Sequence, residues 1–228
     1  GQAVDLLDSF RASFETSDQA GKYAMNGLFG YMAYDAIRFF EDVSITTEKV
    51  VIPDILYKLY RYVIVVDHFS NELTVSQNSI DGSSSGSHGL DRIEQIIFSN
   101  RFATYKFSLT NGEESNFTDK EFLEVIEKGK EHCYRGDVFQ IVLSRRFSCG
   151  FKGDEFNVYR ALRSINPSPY LFYFDYGSFK LFGSSPEAQL QVKGDKAHIY
   201  PIPGTFRRSG NDHEDAELAG KLAADEKE

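Results

Sequence analysis

Cysteine is scarce in this sequence, basic residues are outnumbered, and no apolar run is long. Each shortage removes a class of protein. The two cysteines, Cys133 and Cys149, cannot build a disulfide framework, and neither stands in a Cys-x-x-Cys or Cys/His ligand spacing. A reducing cytoplasm is therefore the expected location. Lysine and arginine total 25 against 34 aspartates and glutamates, a net charge of -9, which argues against nucleic acid or an acidic membrane as the main partner. The most apolar run, "YVIVVDHF", is too short to cross a bilayer and is interrupted by Asp67. No basic-then-apolar segment opens the sequence, so a soluble protein is expected. The histidines at 68, 88, 132, 198 and 213 have no ligand spacing. Walker, G-x-G-x-x-G and G-x-S-x-G patterns are absent as well.

What is present is a composition for packing: 41% hydrophobic and 14% aromatic over 228 residues, enough for one large domain or two small ones. "VDLLDSFRASF" sets Leu6, Phe10 and Phe14 on one helical stripe. "MNGLFGYMAYDAIRFFE" reads as a glycine-interrupted strand running into a short helix, and "DILYKLYRYVIVVDH" with "ELTVSQN" as a hairpin. "DGSSSGSHG" reads as a flexible connection and "LDRIEQIIFSN" as a short amphipathic helix. Thr118 and Glu121 have capping-box spacing ahead of a helix whose Phe122, Val125 and Ile126 share a face. "VFQIVLSRRFSC" follows as a strand, with Phe139, Ile141, Leu143 and Arg145 on one side and Val138, Gln140, Val142 and Ser144 on the other. A helix over "EFNVYRALRSIN" then leads to two successive hairpins, "YLFYFDYG" with "SFKLFGSS" and "AQLQVKG" with "AHIYPI". The final "HEDAELAGKLAADEKE" is helical. Blocks of helix and hairpin without βαβ alternation predict an α+β fold, mostly antiparallel sheets packed with helices. Its expected divisions are an N-terminal subdomain over 1–80, a connection and short helix over 81–117, and part of a substrate-binding domain over 118–228.

Several positions can carry chemistry. Glu187, directly after Ser-Ser-Pro, can be a solvent-facing acid at a strand start. It can also be a proton donor, because an apolar wall near Phe182 would raise its pKa toward neutrality. Gly204 and Thr205 can be a plain turn or a carboxylate-binding pair strengthened by Arg207 and Arg208. Gln140, expected mid-strand among apolar residues, must find partners or cost about 1–3 kcal/mol.

Together these pieces are more specific. "GLFGYMAYD", "GDVFQIVLSRRF", "NPSPYLFYF", "GSSPE", "YPIPGTFRRSG" and "LAADEKE" occur in the order seen in chorismate-utilising enzymes. Within that family the sequence resembles the large subunits of anthranilate synthases, as a piece without their N-terminal segment and much of their C-terminal half. The resemblance implies that Glu187 assists loss of the ring hydroxyl as general acid and that Gly204 and Thr205 contact the substrate. It implies that Glu228 borders a Mg²⁺ site whose next acid lies past the end of this sequence. Family members that add water carry a lysine base where this chain has Gln140; a glutamine cannot deprotonate water, so the site fits ammonia as nucleophile. Pro203 stands where aminodeoxychorismate synthases place a nucleophilic lysine and anthranilate synthases usually an alanine.

The resemblance also implies a half-pocket for feedback tryptophan at Asn166, Pro167, Ser168, Pro169, Tyr170 and Leu171. In this turn the prolines fix the backbone and Tyr170 offers a ring and a hydroxyl. The tempting "LLDS" at 6–9 lies too near "GLFGY" to supply the other half, and its leucines serve a helix. The function implied is conversion of chorismate and ammonia, delivered by a glutamine amidotransferase subunit, to anthranilate and pyruvate in tryptophan biosynthesis. A piece alone is expected to be inactive. The alternatives are an aminodeoxychorismate synthase component, or a non-catalytic tryptophan-binding regulatory module.

Overall fold

A computed structural model describes residues 2–14, 27–46, 51–79, 88–99, 101, 103, 105–200 and 207–224. The chain forms two compact units, 1–102 and 103–228. Of the expected flexible connection at 81–89, residues 81–87 lie outside the described residues, while His88 and Gly89 already belong to the helix that follows.

In the first unit the order is helix α1 (Gln2–Ala12), strand β1 (Leu28–Met32), a 3₁₀ turn (Tyr34–Phe39), β2 (Ile55–Leu59), β3 (Tyr62–Asp67), β4 (Glu72–Gln77) and α2 (His88–Phe98). β1 pairs antiparallel with β2, and β3 with β4. Gly30 faces Tyr57 across the first ladder, and a Cβ there would lie 1.9 Å from the Leu56 carbonyl oxygen, so only glycine permits this pairing. Residues 54–68, expected as one strand, are two. β2 looks back to β1 while β3 looks forward to β4, so one apolar run serves two ladders and must break between them. Asn78 holds the break, donating its side-chain amide to the Tyr60 carbonyl at 2.8 Å and its backbone N–H to that of Arg61 at 2.7 Å. Leu6, Leu7 and Phe10 of α1 line a cavity of about 530 Å³ with Phe39 and β2, Leu7 half-buried and Leu6 70% exposed.

In the second unit come β5 (Ser108–Leu109), β6 (Glu114–Ser115), α3 (Asp119–Arg135), β7 (Phe147–Ser148), β8 (Phe151–Lys152), α4 (Phe156–Ile165), β9 (Tyr170–Asp175), β10 (Lys180–Ser185), β11 (Gln191–Lys193), β12 (Lys196–His198) and α5 (Asp212–Ala223). Antiparallel pairs join β5 to β8, β6 to β7, β9 to β10 and β11 to β12. The fold is α+β with antiparallel sheet pieces and helices, as the sequence predicts. The capping box on α3 is formed: Thr118 Oγ1 accepts from the Glu121 N–H at 3.3 Å, and Glu121 Oε2 accepts from the Thr118 N–H at 2.8 Å. Those bonds, led by the backbone one, hold the Glu121 carboxyl below its ordinary pKa.

The expected strand over 138–149 is mostly absent. Only Phe147 and Ser148 find a ladder partner, in β6. A strand is made by hydrogen bonds to a neighbour, and before β7 only Arg146 has one among the described residues, its carbonyl accepting from the Asn116 N–H at 3.2 Å and its N–H donating to the Asn116 side chain at 2.8 Å. The alternation of faces persists over 141–145 but not before it, where Phe139 is exposed and Val138 half-buried. A Cβ on Gly129 of α3 would sit 3.1 Å from a Leu143 methyl and 3.6 Å from an Ile141 methyl, while Arg145 reaches Asp119 at 2.6 Å. Gln140, Val142 and Ser144 point the other way and are exposed.

Among the described residues only Ala36 and Gly129 are buried. Many aromatic side chains are exposed and the others half-covered. Their densest cluster joins Phe156 and Tyr159 of α4 to Tyr173 of β9 and Phe182 of β10, with ring centroids 5.0 to 6.2 Å apart.

Candidate functional site

The β9–β10 hairpin gathers two of the sequence-predicted groups at one end. α4 stops at Asn166, the Pro167–Pro169 turn cannot continue it, and β9 begins at Tyr170. β10 runs back so that Leu171 lies opposite Ser184 and Tyr170 opposite Ser185. Pro186 and Glu187 follow at once. The Asn-Pro-Ser-Pro-Tyr turn and the Ser-Pro-Glu turn are thus neighbours by register.

Hydrogen bonds fasten this end. Ser184 Oγ donates to the Asn166 carbonyl at 2.6 Å, Ser185 Oγ donates to the Glu187 carbonyl at 3.2 Å, and Gln191 Nε2 donates to the Tyr170 hydroxyl at 3.2 Å. Tyr170 is 39% exposed, so its ring stays reachable while its hydroxyl already accepts one bond. On the opposite face Gly183 sits beneath the Phe172 ring; a Cβ there would come within 2.6 Å of it. The strand can carry that ring over its backbone only because position 183 lacks a side chain.

Glu187 is exposed. The apolar wall expected from Phe182 is turned elsewhere: Phe182 stacks on Tyr173 and meets Tyr159 of α4, before β10 reaches its end. Placed past the end of the strand, the acid lies open to solvent. Desolvation by that ring is not part of its surroundings.

Gln140 is also exposed and lies in no ladder, which corrects the expectation of a buried mid-strand amide. Its position on the outward face with Val142 follows from the alternation that turns Ile141 and Leu143 toward α3. Among the described residues it has no hydrogen-bond partner and is not joined to the hairpin end. Gly204, Thr205, Pro203 and Glu228 lie outside the described residues. Arg208, read as half of an anion site, pairs with Asp215 of α5 at 2.8 Å, and Asp215 also accepts the Ser209 N–H at 2.7 Å. These bonds, the Ser209 N–H first, hold the Asp215 carboxyl below its ordinary range. Arg208 therefore secures the entry to α5, while Arg207 is exposed.

Two features escaped the sequence reading. The first is Ser184, for which parity was the available signal: a hydroxyl two residues beyond Phe182 lies on the helix-facing side. The second is a charged cluster at the far end of the hairpin. There Lys180 reaches Asp175 at 3.2 Å and Glu155 at 3.5 Å, and the Tyr173 hydroxyl donates to Glu155 at 3.3 Å. Partial burial, then the Glu155 charge, pushes the Tyr173 hydroxyl up. Among the described residues no three His, Cys, Asp or Glu side chains converge to hold a metal. No helix among them is long and apolar enough to cross a membrane.

Comparison with known proteins decides the family. The family model described as chorismate binding enzyme matches residues 2–228. The chain belongs to the chorismate-binding enzymes. It is 35% identical over 213 residues to anthranilate synthase component 1 of Aquifex aeolicus, covering 89% of this chain and 43% of that protein. It is 33% identical over 248 residues to the Thermus thermophilus protein of the same name, covering 100% and 51%. Among solved structures it superposes on anthranilate synthase component I of Streptococcus pneumoniae with a TM-score of 0.77 at 27% identity, covering 97% of this chain and 50% of that one. As a member of the family, the chain spans about half the length of the curated relatives it matches.

Proposed function

We propose that this chain is part of an anthranilate synthase large subunit. The complete protein takes chorismate and ammonia to anthranilate, pyruvate and water. The observation that carries the reading is Glu187: a carboxyl presented to solvent on a proline turn whose backbone Ser185 holds, in a chain similar over most of its length to proteins named anthranilate synthase component 1. In its acid form Glu187 donates a proton to the ring hydroxyl, which leaves as water while the amine bonds to the ring. Loss of the enolpyruvyl group as pyruvate then makes the ring aromatic. Gly204 and Thr205 hold a substrate carboxylate, and Gln140, unable to deprotonate water, admits ammonia as the nucleophile.

Ammonia comes from a glutamine amidotransferase partner in the cytoplasm, and tryptophan binds at Asn166 to Leu171 as feedback inhibitor. The described residues assemble no ligand set for Mg²⁺, so no step is assigned to the ion. A Mg²⁺ requirement with Glu228 at the site remains part of the proposal, tested by loss of activity in EDTA and its return with added Mg²⁺. Because so little is buried among the described residues, activity is expected of the complete protein and not of this piece.

The test is product analysis on the complete protein supplied with chorismate and an ammonium salt, following anthranilate fluorescence and pyruvate together. Glu187→Gln is expected to lower kcat by about 10²–10⁴-fold. Aminodeoxychorismate as the sole product would overturn the reaction in favour of the sister enzyme. Tryptophan binding without chorismate binding would overturn it in favour of a regulatory module.

A further inference from the structure

Ser184 has an assignment that the reaction does not demand and the geometry supplies. It is the penultimate residue of β10, on the face shared with Phe182, and its hydroxyl donates to the carbonyl of Asn166, the residue capping the end of α4. At 2.6 Å this is a short contact for two neutral groups. Its strand end is anchored because β10 is paired along its whole length with β9, and α4 as a whole is held to the hairpin through Phe156 and Tyr159 in its first turn.

Only Ser185 and Pro186 separate this bond from Glu187. Pro186 has a fixed φ and narrows the choices of Ser185 before it, so few torsions remain between the bond and the acid. Ser185 removes another by donating to the Glu187 carbonyl. On the other strand the Tyr170 hydroxyl accepts from Gln191, which holds the Asn166–Tyr170 turn from the side opposite Ser184. Moving the end of α4 therefore moves the backbone from which Glu187 projects.

We propose that Ser184 is a positioning residue: its hydroxyl ties β10 to the end of α4 and so sets the place of Glu187 and couples that acid to the Asn166–Tyr170 turn. The inference rests on the reading of Glu187 as the general acid. A displacement near 1 Å of a catalytic group is enough to cost about 10²-fold in rate.

Ser184→Thr and Ser184→Val in the complete protein form the test. The two side chains have the same shape and differ in the hydroxyl, so any effect of the added methyl on folding is common to both. The expected result is a Val variant with kcat at least about 10-fold below the Thr variant, the KM for chorismate equal within about twofold, and like melting temperatures. Equal kcat in the two variants would overturn the proposal, as would a difference confined to KM. Glu187→Gln in the same assay separates the layers. If it keeps full activity, the general-acid reading falls and takes the role of Ser184 with it. If it is inactive while Thr and Val match, only the positioning role falls.

Discussion

Strand β10, Lys-Leu-Phe-Gly-Ser-Ser, and residues 138–146, which are the richer in β-branched side chains, both read as strands in the sequence and meet opposite fates. β10 pairs over six residues with β9. Residues 138–146 have no ladder partner among the described residues. The difference is distance along the chain. Between β9 and β10 stand only Tyr176 to Phe179, with the Tyr176 N–H donating to the Phe179 carbonyl at 3.1 Å and Lys180 closing across to Asp175. Closing so short a loop costs little, and the aromatic cluster returns more. Segment 138–146 has α3 before it and α4 after it, so any strand that pairs with it must come from further away.

The strongest way to break this contrast is to remove the ring that makes the hairpin. Tyr173 meets Phe156, Tyr159 and Phe182 and donates to Glu155. Tyr173→Ala is expected to cost about 3 kcal/mol, the lower end for losing a large aromatic side chain because this one is half-covered. Urea unfolding of the complete protein, followed by tyrosine fluorescence, measures it. A cost below about 1 kcal/mol would mean the cluster is not what stabilises β9 against β10.

Acid gives a smaller lever on the same hairpin. The Glu155 backbone N–H, and after it Lys180, hold the Glu155 carboxyl below its ordinary value of 4.5, against partial burial that pushes it up. A depressed carboxylate contributes stability that is present above its unfolded pKa and is lost as pH falls through its folded one. The packing of α4 on the hairpin is therefore expected to hold above about pH 4.5 and to weaken progressively below it. Glu155→Gln should flatten that part of the stability-versus-pH curve while leaving the alkaline side unchanged. A variant whose acid limb still matches the parent would assign the loss to other carboxylates.

The contrast also explains what was legible beforehand. Hairpins β9–β10 and β11–β12, the Thr118–Glu121 capping box and α4 were readable because each is specified within a few neighbouring residues. The break at Tyr60–Arg61 was not, since it depends on β1 and β4 competing for one run of chain. Nor was the exposure of Gln140, whose surroundings depend on a ladder partner remote in sequence. For the site, the sequence showed which residue types stand in which order, and register then brought Glu187 beside the Asn166–Tyr170 turn. The tie through Ser184 needed coordinates, because a serine two residues past a packed phenylalanine reads as an ordinary strand residue until its acceptor is seen.

The smallest expected effect belongs to the unpaired segment and sharpens the comparison most. Phe139 stands 99% exposed, with Val142 at 84% on the opposite parity. A phenylalanine that touches nothing contributes almost nothing to stability, so Phe139→Ser in this 228-residue chain should shift unfolding by less than about 0.5 kcal/mol. Tyr173, equally aromatic, is expected to matter several times more. Urea titrations of the two variants, both made in the 228-residue chain, settle whether position or residue type decides. A Phe139→Ser cost approaching that of Tyr173→Ala would show that the ring is covered, and would give residues 138–146 the partner that their alternating pattern was built to meet.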